Sequence, residues 1–297
     1  MRYGFAKAYA KLNLTLDVLA RREDGYHDLE MVMQSISICD SVSVRIGCGG
    51  GVSTISNVRH IPNDERNIAY KAAVAFLGAT GIEPDGVHIA MEKRIPSSAG
   101  MAGGSADGAA VLRLLSSLTG ANLTDRELCD IGVTVGADIP FCLMGGTALA
   151  CAKGEDLKAL TPIPDCFFVI GKPRRGMSTK AVFEQIDSEP ILRHPDTAAM
   201  LSAIENSSVS GIAAAVYNVF ELPVSSEVPE ILDIKEKLLQ NGALTAAMTG
   251  SGSAVFGIFD NRYDAEKAKG MLAQSYADAF FAAPVSAEEV RKVIICD

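Results

Sequence analysis

PSSAGMAGGSADGAA (Pro96–Ala110) runs straight into VLRLLSSLTG (Val111–Gly120), and the fold turns on how this junction is read. The first half is rich in glycine and small residues. The second places Val111, Leu114, Leu115 and Leu118 at the i, i+3, i+4, i+7 spacing of an amphipathic helix, with Gly120 as its stop. A glycine-rich turn that opens a helix can hold an anion. Its backbone approaches closely, and the helix N-terminus offers unpaired N–H groups and the positive end of the dipole. Gly100, Gly103, Gly104 and Gly108 supply the small residues and Ser105 a hydroxyl. The spacing is neither the Walker A pattern, GxxxxGK followed by Ser or Thr, nor GxGxxG. Taken alone, the segment is equally compatible with a tight strand-to-helix connection.

Upstream, VHIAMEKRI (87–95) alternates like a strand that delivers the chain to Pro96. Glu65–Ala79 carries Ile68, Ala72, Phe76 and Ala79 on one helical face. LNLTLDVL, MVMQSISI and VSVRI read as strands, with Asp24-Gly25 as a tight turn between the first two, and GCGGG (47–51) is a loop. Downstream, Thr124 and Glu127 form a capping box for a helix with Leu128, Ile131 and Val135 as its buried stripe. After GADIP (136–140) comes the small-residue stretch GGTALACAKG. TPIPD (161–165) reads as a linker and CFFVIG (166–171) as a buried strand. The tail reads as a helix over 229–240, a strand over MTGSGSAVFGIF (248–259), a helix over 264–274 and a strand over FFAAPV (280–285). That succession suits an α+β layer sandwich.

The 297 residues are enough for two domains, and 48% hydrophobic with 21% charged residues is an ordinary globular balance. A net charge of −9 opposes a nucleic-acid partner, because a phosphate backbone demands a basic surface. No apolar run reaches the roughly 18–20 residues a bilayer requires, and MRYGFAKAYAKLN lacks the apolar core of a signal peptide. These features predict a soluble, cytoplasmic protein with no membrane partner. Seven scattered cysteines without a CxxC pair read as free thiols, not as a disulfide framework or a zinc site. The four histidines show no ligand spacing, and His88 in VHIAM reads as structural. Arg21-Arg22, Lys93-Arg94 and Arg174-Arg175 are either solvated surface or a charge match to small anionic ligands.

Two further features bear on the glycine run. AKLNLTLDVLARREDGYH puts Lys11 and Asn13 on one face of a strand, with Tyr26-His27 at the turn. A lysine pointing inward beside a phosphate site can neutralise charge or activate a hydroxyl. In GADIP, Asp138 is held near backbone in an apolar setting, where a carboxylate can take the proton of an attacking hydroxyl. Each residue alone is more often a strand lysine or a helix cap. Together with the glycine run they point to phosphoryl transfer.

In this order the three segments resemble the signature regions of the GHMP kinase superfamily, with MTGSGSAVF (248–256) as the third region. YAKLNLTLDV with RREDGYH resembles the branch whose substrate carries a cytidine diphosphate, and the likeness runs over nearly the whole chain. The resemblance implies an α+β, two-domain GHMP kinase fold. A ribosomal-protein-S5-like ATP-binding and catalytic domain would occupy 1–160, and a ferredoxin-like substrate-binding domain 161–297. It implies ATP-dependent phosphorylation of the 2-hydroxyl of 4-diphosphocytidyl-2-C-methyl-D-erythritol, with Mg2+, in the non-mevalonate isoprenoid route, by a monomer or weak dimer.

By the same resemblance Asp138 would be the catalytic base, Lys11 its partner, and Asn13 a contact to the methylerythritol portion. Tyr26 and His27 would hold cytosine by stacking and by hydrogen bonds to its edge, with Phe183 as second aromatic wall and Thr179 as a polar contact. Gly250, Ser251 and Gly252 would face the substrate diphosphate. Asn67 and Lys93 match positions near the adenine nucleotide, and the ATP loop would comprise Pro96, Ala99, Gly100, Met101, Ala102, Gly103, Gly104 and Ser105. No metal ligand is assigned. Tyr9 stands where many members have proline, Ala99 and Ala102 replace glycines found in some, and Asp107 replaces a serine or asparagine type. Other readings are a mevalonate- or homoserine-type kinase of the superfamily, or a non-catalytic nucleotide-binding protein of the same fold. A dinucleotide oxidoreductase lacks its fingerprint here.

Overall fold

A computed structural model describes residues 1–188 and 190–296. Two twenty-residue strands, β1 (Arg2–Arg21) and β2 (His27–Ile46), form its spine and pair antiparallel across the Asp24-Gly25 turn. β1 extends well beyond LNLTLDVL, and the two strands expected at MVMQSISI and VSVRI are one. Register shifts at Tyr9/Lys11, Asn13/Thr15 and Val18/Ala20 bend the long pair. β3 (Val52–Ser56) lies parallel to β4 (Val87–Glu92), and α1 (Ile68–Thr80) connects them. α1 buries Ala69, Ala72, Ala73 and Phe76, whereas Ala79, expected on that face, is exposed.

After the glycine run come α2 (Gly103–Thr119), α3 (Asp125–Val133), α4 (Ile139–Met144), β5 (Thr147–Cys151) and β6 (Asp156–Ala159). α2 begins at Gly103, not at the apolar stripe from Val111. Its first turns are built of small residues because α1 and α4 press against them: a Cβ at Gly108 would lie 3.1 Å from Ile68 Cγ2 and 3.2 Å from Ile139 Cδ1. The Thr124/Glu127 capping box is formed, and Val135 falls beyond the end of α3.

β7 (Phe167–Lys172), α5 (Thr179–Ser188), α6 (Thr197–Glu205), α7 (Val209–Ala215), β8 (Tyr217–Asn218) and α8 (Glu221–Glu227) follow. The chain ends with α9 (Glu230–Gln240), β9 (Thr245–Met248), β10 (Val255–Phe259), α10 (Arg262–Leu272), β11 (Asp278–Ala282), α11 (Ala287–Val290) and β12 (Val293–Cys296). The strand expected over 248–259 is therefore two strands joined by a turn at Thr249–Ala254.

The second sheet has the antiparallel order β11-β7-β10-β9. Ile234 of α9 and Leu272 of α10 both close on Gly171, so the two helices cover one face. This is the split βαβ arrangement of a ferredoxin-like layer. The first sheet runs β12-β1-β2-β4-β3, with β5 also on β2 and β8 on β1. Residue 160, the expected boundary, lies in the connection between β6 and β7, but β8 and β12, from beyond it, sit in the first sheet. Among the described residues no helix is long and apolar enough to cross a membrane, and the seven cysteines are free.

Where the two sheets meet, the glycine run touches the β9–β10 turn backbone to backbone. Gly100 has a φ of +73°, and a Cβ there would lie 2.2 Å from the carbonyl oxygen of Thr249. Gly100→Ala is therefore expected to combine a left-handed alanine with an overpacked contact, costing about 2–4 kcal/mol. Chemical denaturation of the variant beside the parent checks this.

Candidate active site

The site is assembled by main-chain contacts between the three sequence regions. The Lys11 N–H on β1 donates to the Met101 carbonyl at 3.2 Å, and the Asn13 N–H donates to Thr249 Oγ1 at 2.9 Å. The Ala254 N–H donates to the Ala99 carbonyl at 3.3 Å, which binds the glycine run to the β9–β10 turn. Buried Asn218 on β8 donates its amide to the carbonyls of Met248 (2.8 Å) and Gly250 (2.9 Å) and so shapes that turn from below. At the start of α2, Ala102 adopts left-handed φ/ψ (56°, 30°) and no side chain caps the helix. The first-turn N–H groups are thereby left for a ligand.

Asp138 precedes α4, and its side chain makes no capping hydrogen bond. Pro140 within the first turn holds the backbone there. The GADIP loop abuts the glycine run, since a Cβ at Gly136 would lie 3.7 Å from Ser105 Oγ. Behind Asp138, Cys142 is buried, and that burial, followed by the Asp138 charge, pushes its thiol far above the ordinary range. It is a neutral packing group.

A cleft of about 1440 Å3 unites these elements. Lys11 and Asp138 line it, as do Asn67, Lys93, Pro96 and the run from Ala99 to Ser105. Tyr26, His27, Thr179, Phe183 and the Gly250–Gly252 turn belong to the same wall. Six lysines or arginines face the cleft, and five are neutralised: Arg21 by Asp187, Arg66 by Asp64, Lys93 by Asp40 and Asp107, Lys153 by Asp24, and Lys180 by Glu184. Lys11, only 4% exposed, donates to the uncharged Asn13 Oδ1. It is the one cation on this wall without a carboxylate partner among the described residues.

Residues 67–146 match the family model for the GHMP kinase N-terminal domain, and residues 198–278 that for the GHMP kinase C-terminal domain. The chain belongs to the GHMP kinase family. A 4-diphosphocytidyl-2-C-methyl-D-erythritol kinase from Clostridium tetani is 43% identical over 274 residues, covering 92% of this chain and 97% of the relative. One from Caldicellulosiruptor saccharolyticus is 44% identical over 266 residues, with coverage of 90% and 91%. A crystal structure of 4-(cytidine 5'-diphospho)-2C-methyl-D-erythritol kinase matches with a TM-score of 0.80 at 32% identity, over 94% of this chain and 98% of that one. A homoserine kinase from Cytophaga hutchinsonii shares the fold, with a TM-score of 0.72 at 18% identity over 99% and 94%. As a GHMP kinase this protein takes ATP as co-substrate.

Several of the expected contacts also have partners within the protein. Asn13 is not on the described cleft wall; it lies behind Lys11, with its amide against Met31 Sδ at 3.3 Å. Asn67 caps α1 by accepting from the Ala69 N–H (2.8 Å) and donates to the Pro62 carbonyl (2.6 Å). The His27 ring stacks directly on Phe183, with centroids 4.6 Å apart, and its Nε2 bonds Asp187 at 2.7 Å. No base fits between those two rings. Tyr26 is 61% exposed, with Lys153 Nζ 4.2 Å from its centroid. Thr179, at the start of α5, shares a 2.9 Å hydrogen bond with Ser251. His88 is structural, bonded to Ser53 and to the Gly49 carbonyl.

The sequence reading missed Lys153 and Glu155, which bring the β5–β6 turn to the cleft, and Asn218. Glu155 holds a buried carboxylate oxygen without a protein partner among the described residues. Lone polar residues outside a motif give no signal in a single sequence. Because Lys11 pairs with a neutral amide, Lys11→Met strands no carboxylate. Its turnover should fall by about 10²-fold or more with the far-ultraviolet dichroism unchanged. ADP-release kinetics beside the spectrum decide this.

Proposed function

We propose that this kinase transfers the γ-phosphoryl group of ATP to the 2-hydroxyl of 4-diphosphocytidyl-2-C-methyl-D-erythritol, in the non-mevalonate route to isoprenoids. One observation carries the reading: a single cleft joins an uncapped glycine-run helix, the free Asp138 carboxylate and unpaired Lys11 to an aromatic group fit for a nucleobase. Relatives over most of the chain that bear this activity in their names support it.

The uncapped N–H groups of Gly103, Gly104 and Ser105 receive the ATP phosphates. Asp138 accepts the proton of the 2-hydroxyl as that oxygen bonds to the γ-phosphorus, and the bond to the β,γ-bridging oxygen breaks to release ADP. Lys11 stabilises negative charge on the attacking oxygen and the transferring group. The Gly250–Gly252 turn receives the substrate diphosphate. Cytosine is held between Tyr26 and the His27–Phe183 stack; the Asp187 bond leaves His27 only Nδ1 for the base edge.

Magnesium suits this donor set. The described residues contain no cluster of three or more His, Cys, Asp or Glu, but magnesium on a nucleotide takes most ligands from phosphate and water. The Ser105 hydroxyl would complete its shell, and the ion would neutralise phosphate charge. Unpaired thiols fit a reducing, cytoplasmic compartment, and the enzyme would work as a monomer or weak dimer.

A coupled ADP-release assay tests the assignment. The cytidyl substrate should be turned over and mevalonate and homoserine left untouched; the reverse pattern overturns it. Asp138→Ala should lose several orders of magnitude in kcat, and full activity would remove Asp138 as the base. Tyr26→Ala should raise KM for the cytidyl substrate about tenfold or more, with KM for ATP unchanged, since stacking a base on an aromatic ring is worth about 1–3 kcal/mol.

A further inference from the structure

Lys93 resembles a nucleotide contact in sequence, yet its bonding leaves it nothing to give a nucleotide. An ammonium has three donors. Here Nζ meets Asp40 Oδ2, Asp107 Oδ2 and, at 3.2 Å, the Gly103 carbonyl. All three side chains are buried, Asp40 completely. Asp40 is engaged at its second oxygen too: Oδ1 accepts the main-chain N–H groups of Arg94 and of Ile95, the latter at 2.8 Å. The cluster therefore grips the glycine run at both ends. Arg94 and Ile95 lead into Pro96, and Gly103 and Asp107 lie on the first turns of α2. The two ends abut, since a Cβ at Gly103 would stand 3.0 Å from Ile95 Cγ2 and 3.6 Å from Lys93 Nζ.

Charge points the same way. Burial raises the Asp107 carboxyl against the pull of Lys93, but Asp40 alone already balances the ammonium, so the cluster carries no net positive charge to offer a polyanion whether Asp107 is ionised or not. A lysine meant to neutralise phosphate would not be enclosed by two acids.

We propose that Asp40 and Lys93, completed by Asp107, are positioning residues of the ATP site: the buried cluster sets the distance between the two ends of the glycine run, and so the aim of the N–H groups at the head of α2. The inference rests on the reading of that run as the ATP loop. Lys93 serves the nucleotide through the shape of the loop, not by touching it.

A double-mutant cycle on the full chain tests this, with Asp40→Asn, Lys93→Met and the pair of substitutions. ATP affinity is measured by titration calorimetry and KM for the alcohol substrate by ADP release. Each single variant should weaken ATP about tenfold or more, the double variant no more than the worse single, and KM for the alcohol should stay within about twofold. Losses that multiply in the double variant mean that Lys93 meets the nucleotide independently, and they overturn the proposal. Unchanged ATP affinity with a lowered melting temperature overturns it as well, leaving a core ion pair of no consequence for the site. If Asp40→Asn alone does not fold, because it buries an unpaired lysine, Lys93→Met and the double variant are compared. Equal ATP affinities support the clamp and unequal ones reject it. Failure of the parent protein to bind ATP refutes the ATP-loop reading instead.

Discussion

The constraint on which the cleft depends is a main-chain contact, Gly100 against the backbone of Thr249 and Gly250. Each glycine has positive φ, and a Cβ at Gly250 would lie 2.7 Å from the Gly100 carbonyl oxygen just as one at Gly100 would strike Thr249. Chains this close exclude water and leave the surrounding N–H groups aimed outward from fixed positions. The strand that carries Lys11 is tied to both partners, through Met101 and through Thr249 Oγ1. Three segments more than eighty residues apart in sequence thus meet as one rigid junction, and the cleft is the space they leave open. Side chains that act in it need no mobile loop to bring them together.

Electrostatics are handled by cancellation. A protein of charge −9 must accept the triphosphate of ATP, and crowding bare cations around it would be the direct solution. The cleft does otherwise, pairing nearly every lysine and arginine with an acid. Paired surface ions contribute little field and little stability. What remains is a directional field from helix N–H groups and one low-exposure ammonium at Lys11. Because that group is out of water, its charge is weakly screened and acts at short range. Such an arrangement favours charge at one place over charge anywhere in the cleft, the distinction phosphoryl transfer needs between ground state and transition state.

Local rules made much of this legible in sequence. The Asp24-Gly25 turn, the Thr124/Glu127 capping box, the strand leaving for Pro96 and the apolar stripe of α2 each obey a short-range preference, and the folded chain keeps them. Elements set by tertiary contact were not visible. α2 starts eight positions before its first leucine-rich turn (111 − 103) because α1 and α4 demand small residues there; glycine propensity alone argues against helix at Gly103 and Gly104. β12 and β8 are too short to announce themselves and exist because β1 has edges to cover. The candidate site shows the same division. Its residues gather as the motifs indicate, but Lys93 and His27 had partners, Asp40 and Asp187, that lie 53 and 160 positions away.

Those distant partners bear on how the cleft holds two substrates at once. The later half of the chain supplies Thr179, Phe183 and the Gly250–Gly252 turn, while β8 and β12 bind it into the first sheet. Hydrogen bonds from Asn218 reach the β9–β10 turn from a strand paired with Thr15 and Leu16. The wall that carries Thr179, Phe183 and the Gly250–Gly252 turn is therefore bonded, through β8, to the strand that carries Lys11. A hinge between the halves would have to break that pairing, the Gly100 contact and the Ala99–Ala254 hydrogen bond together. Cooperative main-chain packing of this kind favours a preformed cleft, in which the positions of Lys11, Asp138 and the head of α2 are set by the fold before either substrate arrives.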